Sequence, residues 1–197
     1  EISLGLVGSE MCIRDSYYLY ALTNDKSELD KAENSDSLYC FPNRLEDIAV
    51  LENAIYNGGN YAAYYLGCLF YDKGRWEESK ELWEKCADNI TLPTVYRNLS
   101  LVYYNKLKDG VLALKSMEKA FSIDKSDARI FFELDQLYKT LNFSLEKRLA
   151  NMNENSDLLE KRDDLYTEYI TLLNMNGEYD NAYNRILNHN FHPWEGG

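Results

Sequence analysis

The sequence predicts an all-α fold built from stacked helical hairpins. Three observations carry that prediction. Apolar residues recur at helical spacing over most of the chain. The pattern then repeats, block by block, with a period near 35 residues. Turn punctuation is sparse: three prolines and ten glycines in 197 residues are too few for a β-sandwich. A hydrophobic share of 45% is that of a chain with a core to bury.

Taken in order, Tyr17 to Leu22 reads as a helix remnant. A charged, polar stretch follows, with a short helix about Ser27–Glu33 that is solvated on most sides. A break at Pro42 precedes a helix over Leu45–Asn57, with Ala49, Leu51, Ala54 and Ile55 on its apolar side. Four hairpins come next, within Tyr64–Cys86, Tyr96–Phe121, Phe131–Ala150 and Tyr166–Leu187. Their equivalent anchors, Leu66, Leu99, Leu134 and Tyr169, are 33, 35 and 35 residues apart. The turns lie at Lys73–Trp76, Lys106–Gly110 and Asn176–Tyr179.

That period and those residue types are those of the tetratricopeptide repeat, so the expected architecture is an α–α superhelix, a solenoid of helical hairpins. Small residues at Gly67, Ser100 and Ala120 let helix backbones approach. Large ones at Phe70, Trp83, Tyr103 and Tyr138 fill the wedge between hairpins. A lone hairpin cannot bury its apolar face, so stacking is required. The third hairpin is the weakest: its second helix, about Ser144 to Asn155, lacks a small residue where Ala113 and Ala182 sit. The chain thus divides into residues 1–16, unlike the rest, 17–58, remnant helices of preceding repeats, and 59–197, about four repeats with the last incomplete.

The blocks Leu38–Ile55, Tyr64–Cys86, Tyr96–Lys106, Asp127–Lys139, Leu159–Asn174 and Asn188–Gly197, in this order, resemble a family of large bacterial proteins. These join a β-rich N-terminal domain of unknown function to a long tetratricopeptide region. The most distinctive blocks are Tyr39–Glu46, Asp127–Lys139 and Phe191–Gly197. The resemblance implies that the chain is an internal fragment. It also implies a link to carbohydrate metabolism through sugar-binding or mutarotase-like β domains, which this chain does not contain. Separately, Leu6–Ser16 (LVGSEMCIRDS) resembles a translated sequencing-library adapter, and residues 1–16 are expected to be non-native.

Composition excludes several functions. A net charge of −12 argues against a phosphate-backbone binder, so no nucleic acid is expected. No apolar run approaches the roughly 20 residues that span a bilayer, and no export signal is readable, so no membrane is expected and a cytoplasmic location is favoured. Cys12, Cys40, Cys68 and Cys86 form no CxxC spacing. His189 and His192 lie three apart, but Pro193 ends any helix there; a turn packed by Phe191 and Trp194 is expected, and no metal site. Acid pairs such as Asp163–Asp164 and Glu77–Glu78 fit a first helical turn or a solvated face. No catalytic residues and no cofactor are expected: there is no phosphate loop and no nucleophile motif.

The expected binding surface is the inner groove lined by the first helix of each pair. Register places Tyr61, Tyr64, Cys68 and Tyr71 there in the first repeat. Thr94, Arg97, Leu101 and Tyr104 follow in the second, and Arg129, Phe132, Gln136 and Lys139 in the third. Aromatic rings between Arg, Gln and Lys suit a protein or peptide partner, because rings give contact area at small entropic cost. The alternative occupant is the protein's own missing N-terminal domain. A carboxylate clamp is not expected. Asn98 and Arg129 match later clamp positions, but Tyr64 and Cys68 stand where Lys and Asn are needed, and Glu133 replaces a second base.

Overall fold

The structure, a computed structural model, describes residues 9–35 and 43–192. Cys40, Pro42, Pro193 and Trp194 lie outside the described residues. So do parts of the adapter-like stretch and of the family-like blocks at Tyr39–Glu46 and Phe191–Gly197.

Eleven α-helices and one 3-10 helix occur among the described residues, with no strand. They are α1 (Ser9–Thr23), α2 (Lys26–Glu33), α3 (Glu46–Tyr56), α4 (Asn60–Asp72), α5 (Trp76–Ala87), α6 (Pro93–Asn105), α7 (Gly110–Ile123), α8 (Ala128–Thr140), α9 (Leu145–Glu154), α10 (Asp163–Met175) and α11 (Tyr179–Asn188). The 3-10 helix, Ser156–Lys161, lies between α9 and α10 and buries Leu158 and Leu159. The first helices of the pairs begin at residues 26, 60, 93, 128 and 163, so they recur every 33 to 35 residues. α2 therefore falls on the repeat period. The sequence pattern sets it apart as a largely solvated piece, yet Leu29 and Ala32 are buried.

The chain forms two compact units, one up to Val102 and one from Tyr103, with the boundary inside α6. In the first unit α1 begins at Ser9 rather than Tyr17. Ile13, Tyr17 and Tyr20 form its buried stripe at helical spacing. α4 buries a continuous run from Ala62 to Gly67, then Leu69 and Phe70. The α4–α5 hairpin closes on Gly67. A Cβ there would lie 2.4 Å from Trp83 Nε1, so only glycine admits the indole. Trp83 Nε1 donates to the Tyr64 carbonyl at 3.1 Å, and Ser79 Oγ donates to the Gly67 carbonyl at 2.8 Å.

α4 has no cap from its own N-cap residue, Gly59. Its free N–H groups are satisfied from α2: the Glu33 carboxylate accepts from the N–H of Asn60, Tyr61 and Ala62 at 2.7, 2.8 and 3.1 Å. Tyr17 Oη donates to the same carboxylate at 2.7 Å.

In the second unit α7, α8 and α9 are capped locally. Asp109 accepts from Leu112 N, Asp127 from Arg129 N and Ile130 N, and Ser144 from Lys147 N. Phe121 stacks on Phe131 at 5.0 Å, joining α7 to α8. The hairpin turns place Lys108, Asn142 and Gly177 at positive φ, the backbone sense in which these helices end. The four repeat anchors and all four wedge-filling residues are buried. The third hairpin solves its missing small residue differently. Arg148 stands at the register of Ser79, Ala113 and Ala182, and it is only 6% exposed.

Candidate functional site

In the first unit, Tyr61, Cys68 and Tyr71 are half-buried on α4, and Thr94, Arg97 and Leu101 are half-buried on α6. Tyr64 is a correction. It is 2% exposed, with its ring against Tyr65 at 5.4 Å, and so cannot meet a partner. The cause is that α4 is apolar on most sides and packs on more than one neighbour. Burial raises the Tyr64 hydroxyl far above the usual phenol range. Burial also pushes the Cys68 thiol up to about 12, against hydrogen bonds that work the other way, which leaves it a protonated, unreactive packing group. Asn98 Nδ2 lies 3.9 Å from Cys68 Sγ, so this clamp-like residue is turned to the sulfur. Tyr71 packs on Trp83 with ring centres 5.8 Å apart.

In the second unit, Tyr104, Phe132 and Gln136 are half-buried, and Arg129 and Lys139 are exposed. Arg129 Nε reaches Glu133 Oε1 at 3.3 Å, one helical turn on. The Gln136 Nε2 is buried without a hydrogen-bond partner among the described residues. Lys139 Nζ donates to both Glu168 oxygens, at 2.9 and 3.1 Å. Glu168 also accepts from Arg148 Nη2 at 2.7 Å, and Arg148 grips Asp135 with Nε at 3.0 Å and Nη2 at 2.6 Å. A surface lysine on α8 is thereby tied, through α10 and α9, to a carboxylate with no exposure. Burial opposes every charge in this network; it prevails at Asp135, whose carboxyl is pushed above its ordinary value, while at Glu168 and Arg148 the paired hydrogen bonds win. Glu168 stays below the usual carboxylate range, and Arg148 is held more firmly cationic.

The network was not readable as a site. Asp135, a charge one position after the repeat anchor Leu134, is the residue that could have marked it. Asp135 occupies the register of Gly67 and Ser100. Where Gly67 meets Ser79 in the α4–α5 hairpin, the third repeat has an ion pair.

His189 and His192 converge on the first residue of α10. The His189 ring stacks on Tyr166 at 3.8 Å and on Phe191 edge-on at 4.6 Å. Its Nε2 lies 3.0 Å from Asp163 Oδ1 and its Nδ1 lies 3.0 Å from Glu160 Oε2. The His192 N–H donates to Asp163 as well. The His189 hydrogen bond, with those from His192, holds the Asp163 carboxyl below its ordinary value although burial opposes it. Asp164 is paired with Arg162 at 2.6 Å, and Glu78 with Arg75. No group of three His, Cys, Asp or Glu able to hold a metal ion occurs among the described residues. None of the described helices is long and apolar enough to cross a membrane.

Helical pairs at a 33–35-residue period, with small residues at the crossing and large ones in the wedge, define an all-α solenoid of tetratricopeptide type. No family model matches the chain. Among solved structures it is similar to the MamA protein, with TM-score 0.57 and 14% identity over 91% of this chain and 88% of that one. MamA from Desulfovibrio magneticus RS-1, taken from residue 41 to its end, gives TM-score 0.56 and 17% identity over 88% and 92%. YrrB, described as a TPR protein with an unusual peptide-binding site, gives TM-score 0.56 and 16% identity over 90% and 82%. At these identities the likeness is one of fold.

Proposed function

We propose that the chain is a protein-interaction scaffold that holds a protein or peptide segment on the first-helix faces of its repeats. The observation that carries this reading is the face of α8. Phe132 is half-exposed between two fixed cations, Arg129 held by Glu133 and Lys139 held by Glu168. An aromatic anchor between pre-positioned charges is the kind of surface that binds without much ordering cost. In the first unit, Tyr61, Tyr71 and Arg97 offer a comparable set, without Tyr64. YrrB's described peptide-binding site, on a similar fold, supports the same direction. Chemistry is not part of the proposal, because the perturbed groups are explained by burial, pairing and capping.

The test is selection from a random peptide phage library on the whole chain, followed by fluorescence anisotropy of the enriched peptides. Affinity should fall about tenfold in Phe132→Ala and in Arg129→Ala, about 1.4 kcal/mol each. Failure to enrich any peptide, or wild-type affinity in both variants, would sink the reading.

We also propose, on the family resemblance, that the chain is an internal part of a larger bacterial protein. Its partner would then be that protein's β-rich domain, and the chain would be the non-catalytic helical part of a carbohydrate-active enzyme. We hold residues 1–16 to be adapter-derived on the match at Leu6–Ser16. Resequencing the source locus decides both points, since other codons at these positions would make the stretch native.

A further inference from the structure

The α6–α7 turn, inside the second unit, departs from the repeat register at adjoining positions. α3, α5, α9 and α11 each carry an acid in the first turn, where the helix dipole favours one, and α7 carries none. Glu77, Glu146 and Asp180 hold the register of Val111, and Glu78, Lys147 and Asn181 that of Leu112. Here the chain instead sets Val111, Leu112 and, in the turn, Leu107 in the open, 79%, 41% and 40% exposed. Leu141, at the end of α8, lies against Gly110 and continues the apolar surface. Lys108 takes the positive-φ position that Gly74, Asn142 and Gly177 take in the other hairpins, although a lysine there strains the backbone. Packing calls for neither change, because these side chains are exposed. Departures of this kind from local rules belong to functional surfaces.

Charge selects the partner. Residues 106–119 hold four lysines, all exposed, against Asp109 and Glu118, a net +2, so the rest of the chain carries −14. Both acids are engaged: Asp109 caps α7, and Glu118 accepts from Tyr138 Oη at 2.8 Å. An apolar tip among lysines complements a segment that presents aliphatic or aromatic side chains between carboxylates. An anionic bilayer fits less well, since its charged plane would also repel the acidic remainder, whereas a single segment meets one turn. We infer that the α6–α7 turn, through Leu107, Val111 and Leu112 with Lys108 and Lys115, docks an acidic, apolar segment of a partner protein. The inference stands apart from the peptide-binding reading of α8, which concerns a first-helix face.

Two dodecapeptide phage libraries, panned on the whole chain at low salt, test it. One is built from Asp, Glu, Leu, Phe, Gly and Ser, and the other has Lys and Arg in place of the acids. The acidic library should enrich. Anisotropy with its enriched peptides should show affinity about tenfold lower in Val111→Glu and in Lys115→Glu, and falling further as salt rises. Val111→Glu restores the residue type of the other repeats, so it should not lower the melting temperature. Tyr183→Glu, which adds the same charge at an exposed tyrosine on α11, and Phe132→Ala should both bind as wild type. The inference is overturned if only the basic library enriches, if neither does, or if either turn variant keeps wild-type affinity. An equal loss in Tyr183→Glu would reduce the effect to net charge, and an equal loss in Phe132→Ala would move the peptide to α8; both overturn it. So does cosedimentation with phosphatidylserine vesicles that Val111→Glu abolishes when no acidic peptide enriches, which would assign the turn to a membrane.

Discussion

At the scale of single residues, the third repeat replaces a small-on-small contact with a buried ion pair. Gly67 with Ser79 becomes Asp135 with Arg148. A buried pair contributes little net stability, but removing one partner leaves an uncompensated charge. Arg148→Ala should therefore cost about 3–5 kcal/mol in urea unfolding. The double variant Asp135→Ser with Arg148→Ala, which restores the second repeat's residues, should cost less than Arg148→Ala alone. A double variant as unstable as the sum of the singles would refute the register equivalence. Glu168 provides the pH signature. Its carboxyl is depressed in the folded chain, so its contribution is full above the ordinary glutamate value and fades as pH falls through the folded one. Glu168→Gln should be less stable than wild type at neutral pH, and the gap should close on acidification. A gap that is constant with pH would remove Glu168 from the network. Of all this, the sequence pattern showed only the missing small residue. Which charges would compensate depends on α10 meeting α9, a contact that spacing alone does not reveal.

At the scale of helices, some starts carry a local side-chain cap. Asp109, Asp127 and Ser144 stand immediately before the helices they cap. α4 is capped from a distance, by Glu33, 27 residues before Asn60. Gly59 has to be small there, because a Cβ would sit 3.0 Å from Glu33 Oε1. Glu33→Ala should cost about 1–2 kcal/mol, at the upper end for a capping group. Hydrogen exchange should speed up most at the amides of Asn60, Tyr61 and Ala62. Unchanged protection at those three amides would contradict the capping role. α1 marks another limit of local reading. The helix continues back to Ser9 because Ile13 falls one turn before Tyr17 on the buried stripe. An apolar residue at that spacing packs whatever its origin.

At the scale of the whole chain, the 33–35-residue recurrence was readable without structure, because stacking forces the same apolar positions in every repeat. The candidate surface was only partly readable. Register identified the first-helix faces, and Phe132, Arg129 and Lys139 do reach the surface there. It misplaced Tyr64, because a periodic pattern cannot tell a helix packed on one side from one packed on several. It also could not show that Lys139 is pinned by Glu168, which turns a flexible lysine into a fixed part of a face.

The central claim is that these faces bind a peptide segment. Its most direct measurement is backbone amide NMR during titration with a phage-selected peptide. Saturating shifts are expected at Arg129, Phe132, Gln136 and Lys139 on α8, or at Tyr61, Cys68 and Tyr71 on α4. Shifts confined to the second helices α5, α7 and α9, with both first-helix faces unmoved, would contradict it.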